Sequence, residues 1–556
     1  MRMTGRTFEA GEGGIERLAL PIIVVVQVAL VLAADPRGNF PLNDDWAYTH
    51  SVRWLFDEHR IRLSDWIAMN LLPQTLMGGA AVAIAGYSFT ALRHLTQIVS
   101  IAVALLAFVW FEAAGLRRRG ALVATLVVMA WPGWNILSNS YMTDLYAMLF
   151  ALPAATLFLR ALERPAWRTL AAATALAVLG MLQRQVVAVL PAAFLVATLV
   201  STWPWRPRVL LRAILPLGVV FAAEFAYRSY LVSGPGLPEA QTATLGYYFV
   251  ALGKLVGDAP GYREWVGRVV LEIPCYLGLF AAPWLAWVGF GADPRGRRPV
   301  LLAAAAIAAA MFAAGWFPPW RENNVIDAAG IGPYTLYDAI PRGLANLDRS
   351  PGIVWRVAAV AAAFGVAALA RVLALKAAAV FRRAAPQRAR NAFVLALVAG
   401  YLAPFMITGY IDRYLLFVLP FVLALGVPAE NAPAGSGRIG RALAVAWIAA
   451  AIGLSAAATH DYFAWNRARW DAIAAATHLG ATPETLDGGF EYNGYYGFEA
   501  KPRAYGAGKS WWWVKDDRYV VAFSPVEGFT SIAQFPVKRW LARTPSTIYL
   551  LARPAP

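Results

Sequence analysis

Long apolar runs recur along the chain, separated by short polar stretches, and their lengths decide what they become. A helix that crosses a membrane needs about 20 apolar residues. Runs near that length lie at 18–34, 91–113, 120–137, 144–161, 169–182, 186–201, 209–231, 266–290, 299–316, 353–375, 391–408, 411–428 and 440–458. The pattern predicts an α-helical polytopic membrane protein with about thirteen transmembrane helices. From about residue 460 the period changes. DYFAWNRARWDAIAAATHL reads as an amphipathic helix, RYVVAF and STIYLLAR read as strands, and DGGFEYNGYYGF reads as turn-rich. This predicts two domains, a membrane domain at 1–459 and a small C-terminal α/β domain at 460–556.

Basic residues set the sidedness. LRRRG at 116–120, ERPAWR at 163–168, RPRVLLR at 206–212, DPRGRRP at 293–299, KAAAVFRRAAPQRAR at 376–390 and GRIGR at 437–441 all fall between runs. With those loops on the cytoplasmic side, the loops at 35–90, 232–265 and 317–352 and the tail from His460 lie outside. Residues 169–202 test the count, because LQRQ sits in their middle. Arg184 at the bilayer centre would cost roughly 3 kcal/mol or more, so two short spans with Arg184 at the outer rim are expected. The run at 18–34 reads as an uncleaved first span, because the segment before it is only weakly positive.

Composition narrows the class. The chain has 556 residues, 59% hydrophobic and 15% charged, with mean hydropathy +0.51. A soluble domain carries roughly 25% charged residues. The formal charge of +16 resides in short loops between spans, a topology signal and an anionic-lipid contact rather than a nucleic-acid groove. Cys275 is the single cysteine, which excludes an intrachain disulfide. The five histidines show no HxH or HExxH spacing, and no GxSxG or Walker pattern stands out. GPGLPEA at 234–240 and PPWRENN at 318–324 read as flexible outer loops.

Four polar stretches interrupt this apolar plan where chemistry is expected. PLNDDWAYTH at 41–50 sets Asp44 and Asp45 side by side at the exit of the first span. Asn43 or Asp44 can cap a helix, and the four-residue spacing puts Asp44 and Tyr48 on one face. An N-cap on an interfacial helix is one reading. The other is a carboxylate that takes a proton from an acceptor hydroxyl, with its neighbour holding a cation or acceptor group. SNSYMTDLYAM at 138–148 offers either a Thr143 cap with Asp144 at a helix N-terminus, or Asp144 facing the same cavity as Asp44. Arg184, between Gln183 and Gln185, is either a snorkelling arginine or a phosphate donor. In GYIDRYLLFVLP at 409–420, Asp412 and Arg413 form either an exposed pair of little consequence or, with Arg413 inward, a second phosphate donor.

In this order the four pieces resemble the GT-C superfamily of polyprenyl-phosphate-sugar-dependent glycosyltransferases, in the branch that holds protein O-mannosyltransferases and lipid A aminoarabinose transferases. NDDWAY is similar to the acidic first-loop motif, MTDLYAMLFALPA to the Thr-Asp motif at the fourth span, and DRYLLFVLP to the late Arg-Tyr…Pro motif. LGMLQRQVVAVLP stands where the family often carries a phosphate-binding lysine; Arg184 keeps the charge and changes the geometry.

The resemblance implies an inverting transfer from an undecaprenyl-phosphate-linked sugar to a lipid, glycan or protein acceptor. It would take place on the periplasmic face of a bacterial inner membrane. It implies Asp44 as the base, with Asp45 second, and Asp144 as an orienting or cation-binding acid. Arg184 and Arg413, with Tyr48, would meet the leaving phosphate. Asp45 and Asp144 are the candidate ligands if a divalent metal takes part, although no spacing demands one. Three rival readings stand beside it. A lipid-carrier O-antigen polymerase or ligase would carry Arg and His in a large outer loop, whereas this chain puts its signature acids in loop one. A non-catalytic flippase or transporter would show inverted repeats and polar residues at mid-membrane, and neither is evident. A structural or assembly component would use the outer domain as a binding module.

Overall fold

A computed structural model describes residues 14–257, 259–289, 294–320, 325–327, 330–337, 352–382, 387–427, 437–500, 513–541 and 545–554. Residues 321–324 of PPWRENN and 383–386 of the long basic loop lie outside the described residues.

Each of the thirteen apolar runs becomes a helix. Among the described residues, eight helices are long and apolar enough to cross a membrane: Phe89–Ala113, Thr143–Glu163, Pro207–Ser233, Tyr262–Val288, Gly296–Ala314, Gly352–Phe381, Arg388–Thr408 and Arg438–His478. The other five runs give Ala19–Ala34, Arg118–Met129, Trp167–Gln183, Val189–Ser201 and Leu415–Leu425, of 11 to 17 residues. The run at 120–137 is divided by Pro132 and Gly133, and a separate short helix, Trp134–Ser138, follows. Every residue of Leu415–Leu425 is buried, so this helix is core of the bundle and touches no lipid. The expected break at Arg184 is present. Trp167–Gln183 ends there, and a 3-10 turn, Gln185–Ala188, leads into the next helix.

The loops between spans carry more regular structure than their composition announced. The first long loop holds helices Asp45–Glu58 and Leu72–Ala85, and the last two residues of GPGLPEA open helix Glu239–Val256. At the C-terminus, Arg438–His478 runs 41 residues without interruption through position 459, so no break in the backbone marks the expected boundary. Beyond it stand the short helix Phe490–Gly497 and a four-stranded sheet. The sheet order is Leu486–Asp487, Tyr519–Ala522, Thr547–Ala552, Thr530–Pro536, with the first pair parallel and the others antiparallel. Val520, Val521, Ile548, Leu550 and Leu551 are buried, and the sheet lies against the end of the 41-residue helix.

Candidate functional site

Two adjacent carboxylates at a helix start point different ways, because successive helical residues are about 100° apart and do not face each other. The backbone at Asn43 is left-handed, with φ 54°, and the helix Asp45–Glu58 begins immediately afterwards. Neither Asn43 nor Asp44 caps it by a side-chain hydrogen bond. Asp45 takes the backbone instead: Oδ1 accepts from Leu42 N at 2.7 Å, and Oδ2 accepts from Tyr141 N at 3.2 Å. It therefore clips the first loop to the segment that starts helix Thr143–Glu163. Arg93 fixes the run before the motif by donating to the carbonyls of Pro36, Gly38 and Phe40. Burial pushes the Asp45 carboxyl up to about 8.

Asp44 turns to the other side. Its Oδ1 accepts from the Trp66 indole at 3.0 Å, and its Oδ2 meets Arg413 Nη2 at 3.2 Å. Arg413 comes from a 3-10 turn, Asp412–Tyr414, that follows the positive-φ residue Gly409. The exposed Asp412–Arg413 pair is not formed. Both residues are buried, and Asp412 accepts from the backbone N–H groups of Val325 and Ile326.

The second ion pair is tighter. Arg184 Nη1 lies 2.6 Å from Asp144 Oδ1, and both side chains are less than a tenth exposed. Arg184 has an extended backbone in the gap between two helices. Its flanking glutamines hold that gap in place. Gln183 exchanges hydrogen bonds with Gln74, and Gln185 donates to Ala68 O and Asn70 Oδ1. The start of Thr143–Glu163 has no Thr143 cap, and Thr143 Oγ1 is buried without a partner among the described residues.

The Tyr414 ring joins the two pairs. It lies 5.2 Å from the Arg184 guanidinium and 5.5 Å from that of Arg413. Tyr48 is buried one turn beyond Asp44, within electrostatic reach of Asp44, Arg413, Asp144 and Arg184. Burial, followed by the Asp44 charge, pushes its phenol well above the ordinary range. His50 faces away and donates to Tyr495 O, with its imidazole pushed down to about 4 by burial.

Of the six residues singled out, the structure thus gathers five, Asp44, Tyr48, Asp144, Arg184 and Arg413, and sets Asp45 apart. Two neighbours, Trp66 and Tyr414, had no assigned role. Trp66 is 22 residues from Asp44, and no local spacing pairs an indole with a carboxylate at that distance. Among the described residues, no three His, Cys, Asp or Glu gather as a metal-binding group. Both Asp45 oxygens already accept backbone donors.

The pairs are incompletely satisfied. Asp144 Oδ2, Arg413 Nε and Arg413 Nη1 are buried with no partner among the described residues. An orphaned buried polar atom costs about 1–3 kcal/mol. A buried ion pair is close to neutral in net stability even when well made. Three orphans outweigh what the pairs contribute, so the arrangement is poorly explained as a stability device. Chemically, it offers a partly accessible carboxylate beside two fixed guanidinium groups, suited to proton acceptance next to a site of growing negative charge.

Fold and site together define a polytopic helical membrane protein with an opposed-charge centre where the first loop meets two interruptions between helices. No family model matches the chain, and no curated protein matches it. Among solved structures, it is similar to ArnT from Cupriavidus metallidurans bound to undecaprenyl phosphate. That likeness has 15% identity and a TM-score of 0.41, and covers 98% of this chain and 100% of that one. It is similar also to the apo state of the same protein, at 16% identity and TM-score 0.40, covering 98% of this chain and 99% of that one.

Proposed function

We propose that this protein is an inverting glycosyltransferase that moves a sugar from an undecaprenyl-phosphate carrier to an acceptor hydroxyl on a lipid, glycan or protein. The site would lie on the periplasmic side of a bacterial inner membrane, where the positive-inside pattern puts the first loop. Asp44 receives the acceptor proton while the acceptor oxygen bonds to the anomeric carbon. The bond from that carbon to the phosphate oxygen breaks in the same step. The leaving phosphate takes the electron pair, and Arg413 and Arg184 offset its charge. A single displacement needs no enzyme nucleophile.

Asp144 orients Arg184 toward the phosphate through their ion pair. Asp45 has the positioning role of a clip. Tyr48 keeps its hydroxyl protonated beside the charged groups. One observation carries this reading: two guanidinium groups lie 5.2 and 5.5 Å from the Tyr414 ring, and Arg413 has two nitrogens with no partner among the described residues beside the Asp44 carboxylate.

Asp44→Asn tests it. Purified variant, supplied with labelled polyprenyl-phosphate sugar and an envelope extract as acceptor source, should release no polyprenyl phosphate above background while still inserting and folding. Turnover at the wild-type rate would remove Asp44 from the chemistry.

A further inference from the structure

One acid stands where lipid should surround it, and the proposed transfer gives it no role. Glu224 belongs to Pro207–Ser233, a helix long and apolar enough to cross a membrane, and is the only acidic residue in it. Residue 220 is the midpoint of that helix, so Glu224 lies about 6 Å along the axis from it at 1.5 Å per residue. Hydrocarbon extends about 15 Å to either side of a bilayer's centre. Phe221 and Phe225 beside it are exposed on the outside of the bundle, while Glu224 itself is half-buried. Arg228, one turn on, acts on it electrostatically without forming an ion pair among the described residues. An acid at this depth is costly, and such residues mark function by default.

Its partner shows what that function is. Glu224 Oε2 accepts from Asn70 Nδ2 at 2.5 Å, and Asn70 is fully buried in the first long loop. The same Nδ2 donates to Met181 O at 3.0 Å, and Asn70 Oδ1 accepts from Gln185 Nε2 at 3.0 Å. One amide therefore touches the chain on both sides of Arg184, at the end of one helix and at the start of the turn that follows. Tyr227, three residues beyond Glu224, donates its hydroxyl to Asn70 O at 2.9 Å. Leu71 is left-handed, with φ 57°, and its N–H donates to Gln183 O at 3.1 Å.

These contacts divide into two kinds. The bonds from Tyr227 and Leu71 hold backbone to the loop and suffice to anchor it. Glu224 acts on the amide alone. A carboxylate only accepts, so it turns Nδ2 toward itself and Met181 O and leaves Oδ1 to Gln185. Being charged, it makes a stronger bond than a neutral acceptor would. The precision is spent beside Arg184, the cation aimed at the leaving phosphate. A charge-stabilising donor works when it is fixed before charge develops, and such fixing comes from the groups behind it.

We propose that Glu224 is a positioning residue for the transfer: through the Asn70 amide it fixes Gln185, and with it the interrupted backbone that aims Arg184 at the leaving phosphate. Glu224 touches neither donor nor acceptor. It acts through two hydrogen bonds in series, from a helix on the lipid side of the bundle to the gap that carries the cation.

This inference rests on the proposed transfer, and its test tells the two apart. Full-length protein in nanodiscs is assayed with labelled polyprenyl-phosphate sugar, its melting curve is recorded, and backbone hydrogen exchange is followed in the peptide covering 181–188. Glu224→Leu should lower kcat about tenfold or more, with KM for the donor within about twofold. It should speed exchange in 181–188 and leave the melting midpoint unchanged or raised, because leucine removes an acid from lipid. Glu224→Gln keeps an acceptor and should return kcat to within about threefold of wild type. In an Arg184→Gln background, Glu224→Leu should lower kcat by less than about twofold more, since both act through one group. Gln185→Met cuts the last link from the other end and should reproduce the kcat loss, which decides the matter if Glu224→Leu does not fold. Four results would each overturn the inference and leave the proposed transfer standing, provided Asp44→Asn is inactive. They are wild-type kcat in Glu224→Leu or Gln185→Met, unchanged exchange in 181–188, no recovery in Glu224→Gln, and additive losses with Arg184→Gln. A wild-type protein that transfers no sugar would overturn both.

Discussion

Glu491 and Asp144 each meet a buried guanidinium at 2.6 Å, yet the two pairs are finished differently. Glu491 Oε1 accepts from Asn43 N, and Oε2 accepts from Thr335 and Arg469. Arg469 also donates to Gly488 O and leaves only Nη2 unmatched among the described residues. This pair joins the first loop to the C-terminal domain and is close to saturated. The Asp144–Arg184 and Asp44–Arg413 pairs leave one carboxylate oxygen and two guanidinium nitrogens unmatched. Charge and distance are alike in the Glu491 and Asp144 pairs, and both are buried. The difference lies in which polar atoms are left without a partner among the described residues, and that separates a joint from the proposed binding centre.

The comparison can be broken from either side. Glu491→Ala should have the largest effect, because it leaves Arg469 buried and unpaired at a cost of about 3–5 kcal/mol. A lowered denaturation midpoint in detergent would show it, and an unchanged midpoint would remove Glu491 from its joining role. Arg413→Gln is the counterpart. Its midpoint should move little, while turnover falls about 10²–10³-fold, as when one charge-stabilising donor is lost from a transition state. Equal losses of stability in the two variants would erase the distinction.

Asp45 sharpens the contrast within the DD pair. Its folded carboxyl titrates near 8, above the ordinary 3.8, because it is buried. Between those values the folded chain holds a proton that the unfolded chain has released. Stability should therefore fall as pH rises from about 4 to about 8, by no more than about 1.4 kcal/mol per pH unit. Asp45→Asn should flatten that slope in a pH series of melting curves. The smallest effect is expected from Trp66→Phe, which removes one hydrogen bond from Asp44. A net value of about 1 kcal/mol corresponds to a fall of roughly fivefold in turnover, with little change in melting temperature. A tenfold larger loss would give Trp66 a part in the reaction beyond orienting the carboxylate.

The places where sequence reading succeeded share a physical cause. The helices formed by the apolar runs, the break at Arg184 and the polar turn at Asp412–Arg413 follow from local rules. An apolar run of sufficient length forms a helix in lipid, and a buried arginine without a break is too costly. Helix Leu72–Ala85 escaped because its 14 residues are too few for a span and sit in a segment otherwise read as loop. DGGFEYNGYYGF read as turns from its glycines, yet Phe490–Gly497 is helical, with Phe490 and Gly494 packed on the Trp46 ring. Strand Thr530–Pro536 is mostly exposed, so it shows no strong apolar alternation to detect.

By itself the sequence determined the helical membrane architecture, the presence of a sheet-bearing tail and the short set of polar residues from which a site can be drawn. Those depend on hydrophobic length and on residue type, which are local properties. Tertiary structure alone decided that Asp44 meets Arg413 from 369 positions away, that Asp45 is taken by the backbone, and that both arginines lie against the Tyr414 ring. Adjacent residues at a helix start leave the axis in different directions. Which direction finds a cation depends on segments that lie close only once the chain has folded.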